Sequence, residues 1–153
     1  MVVKAGLAAG VRTTVLMPPT VWGAGTGLVN RISVQTPLVI AAAVRRRRAF
    51  MVGDQHRCRA IFSHVHIEDL ARLYEILLER VVRGLDVPHG ERGFLFAEAG
   101  EFAWAEYYEN IASALYKRGR IGSRDLAILS IKEAAEELCG GSEHHAEILF
   151  AAK

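Results

Sequence analysis

Cysteine is nearly absent from this 153-residue chain. The two present, Cys58 and Cys139, lie far apart, with no spacing suited to a metal site. That argues against a disulfide-stapled scaffold and against a zinc module. Free thiols in a reducing compartment, the cytoplasm, are the expectation. Charge of one sign is also lacking. Nineteen Lys and Arg stand against 17 Asp and Glu, a net +2, so no global field draws the chain to nucleic acid or to a membrane. Long hydrophobic runs are missing too. The longest strongly apolar stretch, Leu38 to Val44, falls far short of the ~20 residues that span a bilayer. Residues 1–10 are small and apolar, but Lys4 and Gly6 interrupt them, so they read as helix rather than signal peptide. Nothing is repeated and nothing is low in complexity.

What remains is an apolar chain. Hydrophobic residues make up 51%, enough for a core. A segment of this length is one domain or part of one. If it closes on itself it buries roughly two-thirds of its unfolded surface.

Residues 2–9 suit a helix that Gly10 stops. Val11 to Met17 is β-rich and apolar almost throughout, as a strand buried on both faces requires. Pro18 and Pro19 end it, because neither donates to a ladder. The loop that follows therefore sits at a strand's C-terminal end, where open α/β sheets bind ligands. Gly23-Ala-Gly-Thr-Gly27 misses the Gly-x-Gly-x-x-Gly spacing by one residue, so an irregular loop is expected there rather than a phosphate cradle.

Pro37 to Arg48 reads as a helix with arginines in its last turns, where cations complement the dipole. The run Arg45–Arg48 has no aromatic interleaving, which speaks against a nucleic-acid patch. Phe50–Val52 and Ala60–Val65 are short strand candidates flanking the polar loop 53–59. Leu70, Leu73, Tyr74, Leu77, Leu78 and Val81 recur at three and four residues and predict an amphipathic helix over Glu68 to Val82. A loop from Gly84 to Gly93 leads to a short strand, Phe94–Ala97. A further helix covers Ala103 to Arg118, with Gly119 as its stop. Ser130-Ile-Lys-Glu133 is a capping box that opens a helix to about Leu138, stopped by Gly140 and Gly141. The tail, 144–152, is weakly helical.

Two segments carry a family likeness: Arg-Thr-Thr-Val-Leu-Met-Pro-Pro-Thr-Val-Trp-Gly at 12–23 and Val-His-Ile-Glu-Asp-Leu-Ala at 65–71. Gly27 to Arg31 and Gln35 to Pro37 continue it. They resemble the extended and atypical short-chain dehydrogenase/reductase superfamily, in its NAD-dependent epimerase/dehydratase-like, fungal-type branch. The resemblance implies an α/β fold: the C-terminal part of a Rossmann-type NAD(P)-binding fold plus a small mixed α/β substrate-side lobe. Residues 1–27 and 94–119 would match the late Rossmann strands and helices. Residues 28–93 and 120–153 would form the substrate-side lobe. The N-terminal βαβ units have no counterpart in this sequence.

By the same resemblance, Pro18, Pro19 and Thr20 would lie against the nicotinamide of NAD or NADP. A plain strand-ending turn is the alternative. Asn30, Arg31 and Gln35 would face a substrate cleft, or else be solvated loop residues. His66 would chiefly lock the corner between strand and helix by hydrogen bonds. His64 and His66 share a strand face but lack a third ligand at matching spacing, so no metal site is expected. Phe62 stands where related enzymes carry an arginine for a sugar-nucleotide diphosphate, and Arg59 is not aimed there, so a different small-molecule substrate is expected.

Neither the family's glycine-rich dinucleotide loop nor its Tyr-x-x-x-Lys pair occurs: none of Tyr74, Tyr107, Tyr108 and Tyr116 has Lys four residues on. That lysine lowers the tyrosine's pKa for proton exchange. The expectation is a substrate-side fragment of an NAD(P)-dependent oxidoreductase or epimerase-like protein, with no catalytic residue of its own, inactive alone and not binding cofactor alone. The alternative is a non-catalytic nucleotide-sensing or protein-binding module. Either way, the apolar strand at 12–17 would leave edges and faces in need of a homo-oligomer or of the missing N-terminal half.

Overall fold

A computed structural model describes residues 1–53 and 60–150. Cys58, Arg59 and nearly all of the polar loop 53–59 lie outside the described residues, as does the end of the tail. The elements run α1 (Val2–Ala8), β1 (Val15–Met17), β2 (Thr20–Trp22), α2 (Gln35–Arg46), β3 (Phe50–Val52), β4 (Ile61–His66) and α3 (Ile67–Val82). Then come β5 (Phe94–Phe96), β6 (Gly100–Ala103), α4 (Trp104–Lys117), β7 (Ala127–Leu129), α5 (Ile131–Leu138) and α6 (Glu143–Phe150). This is an α/β protein. β1 pairs with β5, β2 with β4 and β3 with β7, all in parallel. β4 has β6 on its other side.

The chain divides into two compact units. The first is Met1–Arg31 with Ser63–Gly100, the second Ile32–Phe62 with Glu101–Lys153. The 16-residue α3 falls in one unit and α4 in the other.

In the first unit the double proline divides two ladders. The apolar run expected as one strand from Val11 is regular only over Val15–Met17 and is half-buried rather than buried on both faces. Met17 O accepts from Ala97 N–H (3.2 Å), which closes the ladder to β5. Pro18 and Pro19 follow and cannot donate. Thr20, expected in a loop, instead opens β2 against a different neighbour, β4. The proline pair is therefore a switch between partners. The core of this unit is small: Val65, Leu70 and Ala97 are buried, with Leu16, Val21, Ile67 and Leu73 packed on them.

The second unit holds the larger core. Val39, Ala42 and Ala43 of α2 contribute, as do Phe50 and Val52 of β3. Trp104, Tyr108 and Leu115 of α4 join them, with Leu138 of α5 and Phe150 of α6. α2 starts at Gln35, two residues before Pro37, so the proline occupies the first turn, where its missing N–H removes no helical bond. Arg47 ends α2 in the left-handed conformation (φ 53°). The capping box forms with both of its reciprocal bonds.

Candidate functional site

The first unit brings most of the sequence-predicted residues to the C-terminal ends of β1, β2 and β4. The register sets Thr20 opposite His64 and Trp22 opposite His66. Side chains alternate along a strand. Trp22, His64 and His66 consequently meet on one surface. The Trp22 indole N–H donates to His64 Nδ1 at 3.1 Å. The rings of Trp22 and His66 meet edge to face, 4.5 Å between centroids at 71°. Trp22 and His64 are also edge to face, at 5.9 Å.

His66 is the N-cap of α3. Its Nδ1 accepts from Glu68 N–H at 3.3 Å and supplies an acceptor to an otherwise orphan donor. Both histidines therefore present Nδ1 as an acceptor, which assigns the proton of each neutral ring to Nε2. Glycines face those edges. Gly23 has φ 106°, and a Cβ there would fall 2.7 Å from His66 Cδ2. A Cβ on Gly100 would fall 3.0 Å from His64 Nε2.

Pro18 is exposed and Pro19 half-buried beside this corner. Asn30 is exposed and left-handed (φ 51°). Arg31 closes its loop: its Nε donates to Gly25 O (3.2 Å), and its carbonyl accepts from Gly25 N–H (2.7 Å). Gln35 belongs to the other unit. Its amide donates to Leu149 O at 2.6 Å, which ties the start of α2 to α6. Arg45 and Arg46 are likewise engaged, with the carbonyl and the carboxylate of Glu137. Phe62 packs on Phe102 and Trp104.

Trp22 is 46% exposed and offers a flat apolar face beside two imidazoles. Among the described residues no group of three His, Cys, Asp or Glu could hold a metal ion. Cys139 is half-buried, and burial pushes its thiol pKa up, away from nucleophile chemistry. Tyr107 donates to Thr36 Oγ1 at 3.0 Å, and burial raises its pKa, opposite to what a catalytic tyrosine needs.

Sequence reading did not single out Trp22. Its signal is the register between β2 and β4, which no local pattern reveals.

No helix among the described residues is long and apolar enough to cross a membrane. No family model matches the chain. In sequence it is similar to Oxidase ucsJ of Acremonium sp, with 26% identity over 133 residues. The match takes in 82% of this chain and 37% of that protein, so the chain spans just over a third of the length of the relative it resembles.

Proposed function

We propose that this chain is the substrate-side, C-terminal part of an NAD(P)-dependent oxidoreductase or epimerase-like protein of the short-chain dehydrogenase type. The observation that carries the reading is the Pro18–Pro19 switch at the end of a parallel strand, with the Trp22–His64–His66 corner beside it. A ligand crevice belongs at that end of such a sheet. The similarity to an oxidase supports the same reaction class.

The dinucleotide itself does not fit the described residues. A pyrophosphate needs free N–H groups at a helix N-terminus after a glycine turn. Gly25 N–H is given to Arg31 O, and α2 begins only at Gln35. The N-terminus of α3 is capped by His66. No reaction step is therefore assigned to this chain through the cofactor. Its residues would shape the substrate side, while phosphate binding and the Tyr–Lys pair would come from a preceding segment or a second polypeptide.

The genomic frame preceding Met1 tests this. A glycine-rich strand–helix turn and a Tyr-x-x-x-Lys are expected there or in a co-transcribed neighbour. Finding neither sinks the proposal in favour of a non-catalytic module. Calorimetric titration of the chain with NADH and NADPH should show no saturable heat. Micromolar binding would overturn the assignment of the phosphate site to another segment.

A further inference from the structure

The fold gathers cations that the sequence keeps apart. Residues 45–48 are four arginines at the end of α2, and residues 117–124 add Lys117, Arg118, Arg120 and Arg124 at the end of α4 and beyond it. The two segments lead into β3 and β7, which run side by side in parallel. Ala127 N–H donates to Ala49 O at 3.0 Å, so both segments enter the sheet at the same end, with backbones about 4.8 Å apart there. They hold eight of the chain's 19 Lys and Arg, all of them exposed. The remainder of the chain is therefore net acidic, and the total of +2 conceals this basic end. Asp125, the one acid beside these cations in sequence, accepts from the Ser123 hydroxyl at 2.7 Å. Arg46 is paired with Glu137, but Arg47, Arg48, Lys117 and Arg120 have no acidic partner among the described residues.

We propose that this end of the second unit binds single-stranded nucleic acid, with the cations on its phosphates and Tyr116 against a base. The inference is independent of the reaction proposed above.

The chemistry of the patch selects this ligand among anions. Seven of the eight cations are arginine, whose planar fork pairs with phosphate through two hydrogen bonds. A folded protein partner needs an apolar centre to its interface, and a membrane needs a side chain to insert. Neither lies between these cations. Ala49 and Ile121 are buried, Leu126 is half-buried, and Gly119, Gly122 and Ser123 are small. An aromatic ring, missing beside the arginine run in sequence, is supplied by α4, which packs on β3 and α2. Tyr116 is 47% exposed, and Arg124 Cζ lies 5.8 Å from the centroid of its ring. A phenol ring and a guanidinium both stack on bases of any sequence. A duplex keeps its base faces from such a platform, so a single strand fits better.

Fluorescence anisotropy of the full chain with a labelled oligo-deoxythymidine tests this, at a length of about 20 nucleotides to exceed a typical site. Binding is expected at low salt, with a log–log salt slope of about −3, the value for about four phosphate contacts on a single strand. Arg47→Glu with Arg48→Glu, and Arg120→Glu with Arg124→Glu, should each weaken it about tenfold or more. Arg72 and Arg92 are exposed in the first unit. Arg72→Glu with Arg92→Glu changes the net charge equally and should weaken binding less than about twofold. Tyr116→Leu should weaken it about fivefold and leave the salt slope unchanged. The slope and the ranking of ligands are read on the wild type, so they decide the matter even where a variant unfolds. Absence of binding at low salt would overturn the proposal. So would equal losses in the patch and control pairs, or duplex DNA bound as tightly as the single strand. Tighter binding to polyglutamate or to phosphatidylserine vesicles would overturn it too.

Discussion

Trp22 and His66 stand opposite each other in the β2–β4 register, and the same histidine whose ring meets the indole also caps α3. One side chain thus joins two kinds of order. It fixes where the strand ends and the helix starts, and it holds the exposed indole upright at the sheet's edge.

Two variants of His66 separate these contributions. His66→Ala should lower stability by about 1–3 kcal/mol, through a lost cap and a lost ring contact. His66→Asn keeps a capping oxygen and should lose about 1 kcal/mol or less. Urea unfolding followed by tryptophan fluorescence reads both. Equal losses would mean that capping is not part of the role of His66.

Gly23 should be nearly irreplaceable. Its φ of 106° lies where L side chains are rarely found, and a Cβ would press on the His66 ring. Gly23→Ala is expected to cost more than the ~1–3 kcal/mol of backbone strain alone, and to shift the emission of Trp22. Gly10 supplies the control. It is also left-handed (φ 67°), but nothing lies within 4 Å of a Cβ there. Gly10→Asn should cost less than 1 kcal/mol, on the order of the few tenths expected where αL is tolerated. Similar thermal shifts for the two variants would show that the His66 contact is irrelevant.

The helices were largely legible in the sequence, as were the strands β3, β4 and β5, but β2, β6 and β7 were not. α3, α4 and α5 announce themselves by period and by the Ser130–Glu133 box, and each forms within a residue or two of its expected bounds. β2, β6 and β7 have only three or four residues each, too few to show a period, and their partners are far away in sequence. Thr20 follows two prolines and reads as loop, yet it is held in a strand by a neighbour 44 residues on. Gln35 reads as a cleft residue because nothing local shows that Leu149 will take its amide. The period of α3 was visible, but it could not say that Leu70 faces inward while Leu78 faces out. Only packing decides that.

The capping box predicts an acid-sensitive helix. Glu133 Oε2 accepts from Ser130 N–H and from the Ser130 hydroxyl, each at 2.7 Å, and its pKa is lowered, first by that backbone bond. A depressed carboxyl pKa contributes stability above its unfolded value and loses it as pH falls through the folded one. Wild type should therefore exceed Glu133→Ala in urea midpoint near neutral pH, and the gap should close in acid, below the ordinary glutamate range. A gap that stays constant with pH would show that ionised Glu133 is not what holds the turn.

Tyr107 predicts the opposite slope at the alkaline end. Its hydroxyl donates to Thr36 at the start of α2, and burial raises its pKa, with the Thr36 bond offsetting part of the rise. The folded chain thus keeps a proton that the unfolded chain releases first. A raised pKa contributes stability below the unfolded value, near 10 for tyrosine, and loses it as pH climbs toward the folded value. At neutral pH, Tyr107→Phe should cost about 0.5–1.5 kcal/mol for the lost hydrogen bond. The cost should shrink above about pH 10, because the unfolded wild type then gains by ionising while its folded phenol keeps its proton. Phenylalanine has nothing to titrate. Urea midpoints of the two proteins from pH 7 to 11, a range chosen to bracket the ordinary tyrosine value of about 10, give the comparison. A difference that widens with pH would mean that Tyr107 ionises more readily in the folded chain than in the unfolded one, and a tyrosine of that kind would have to be reconsidered as an acid.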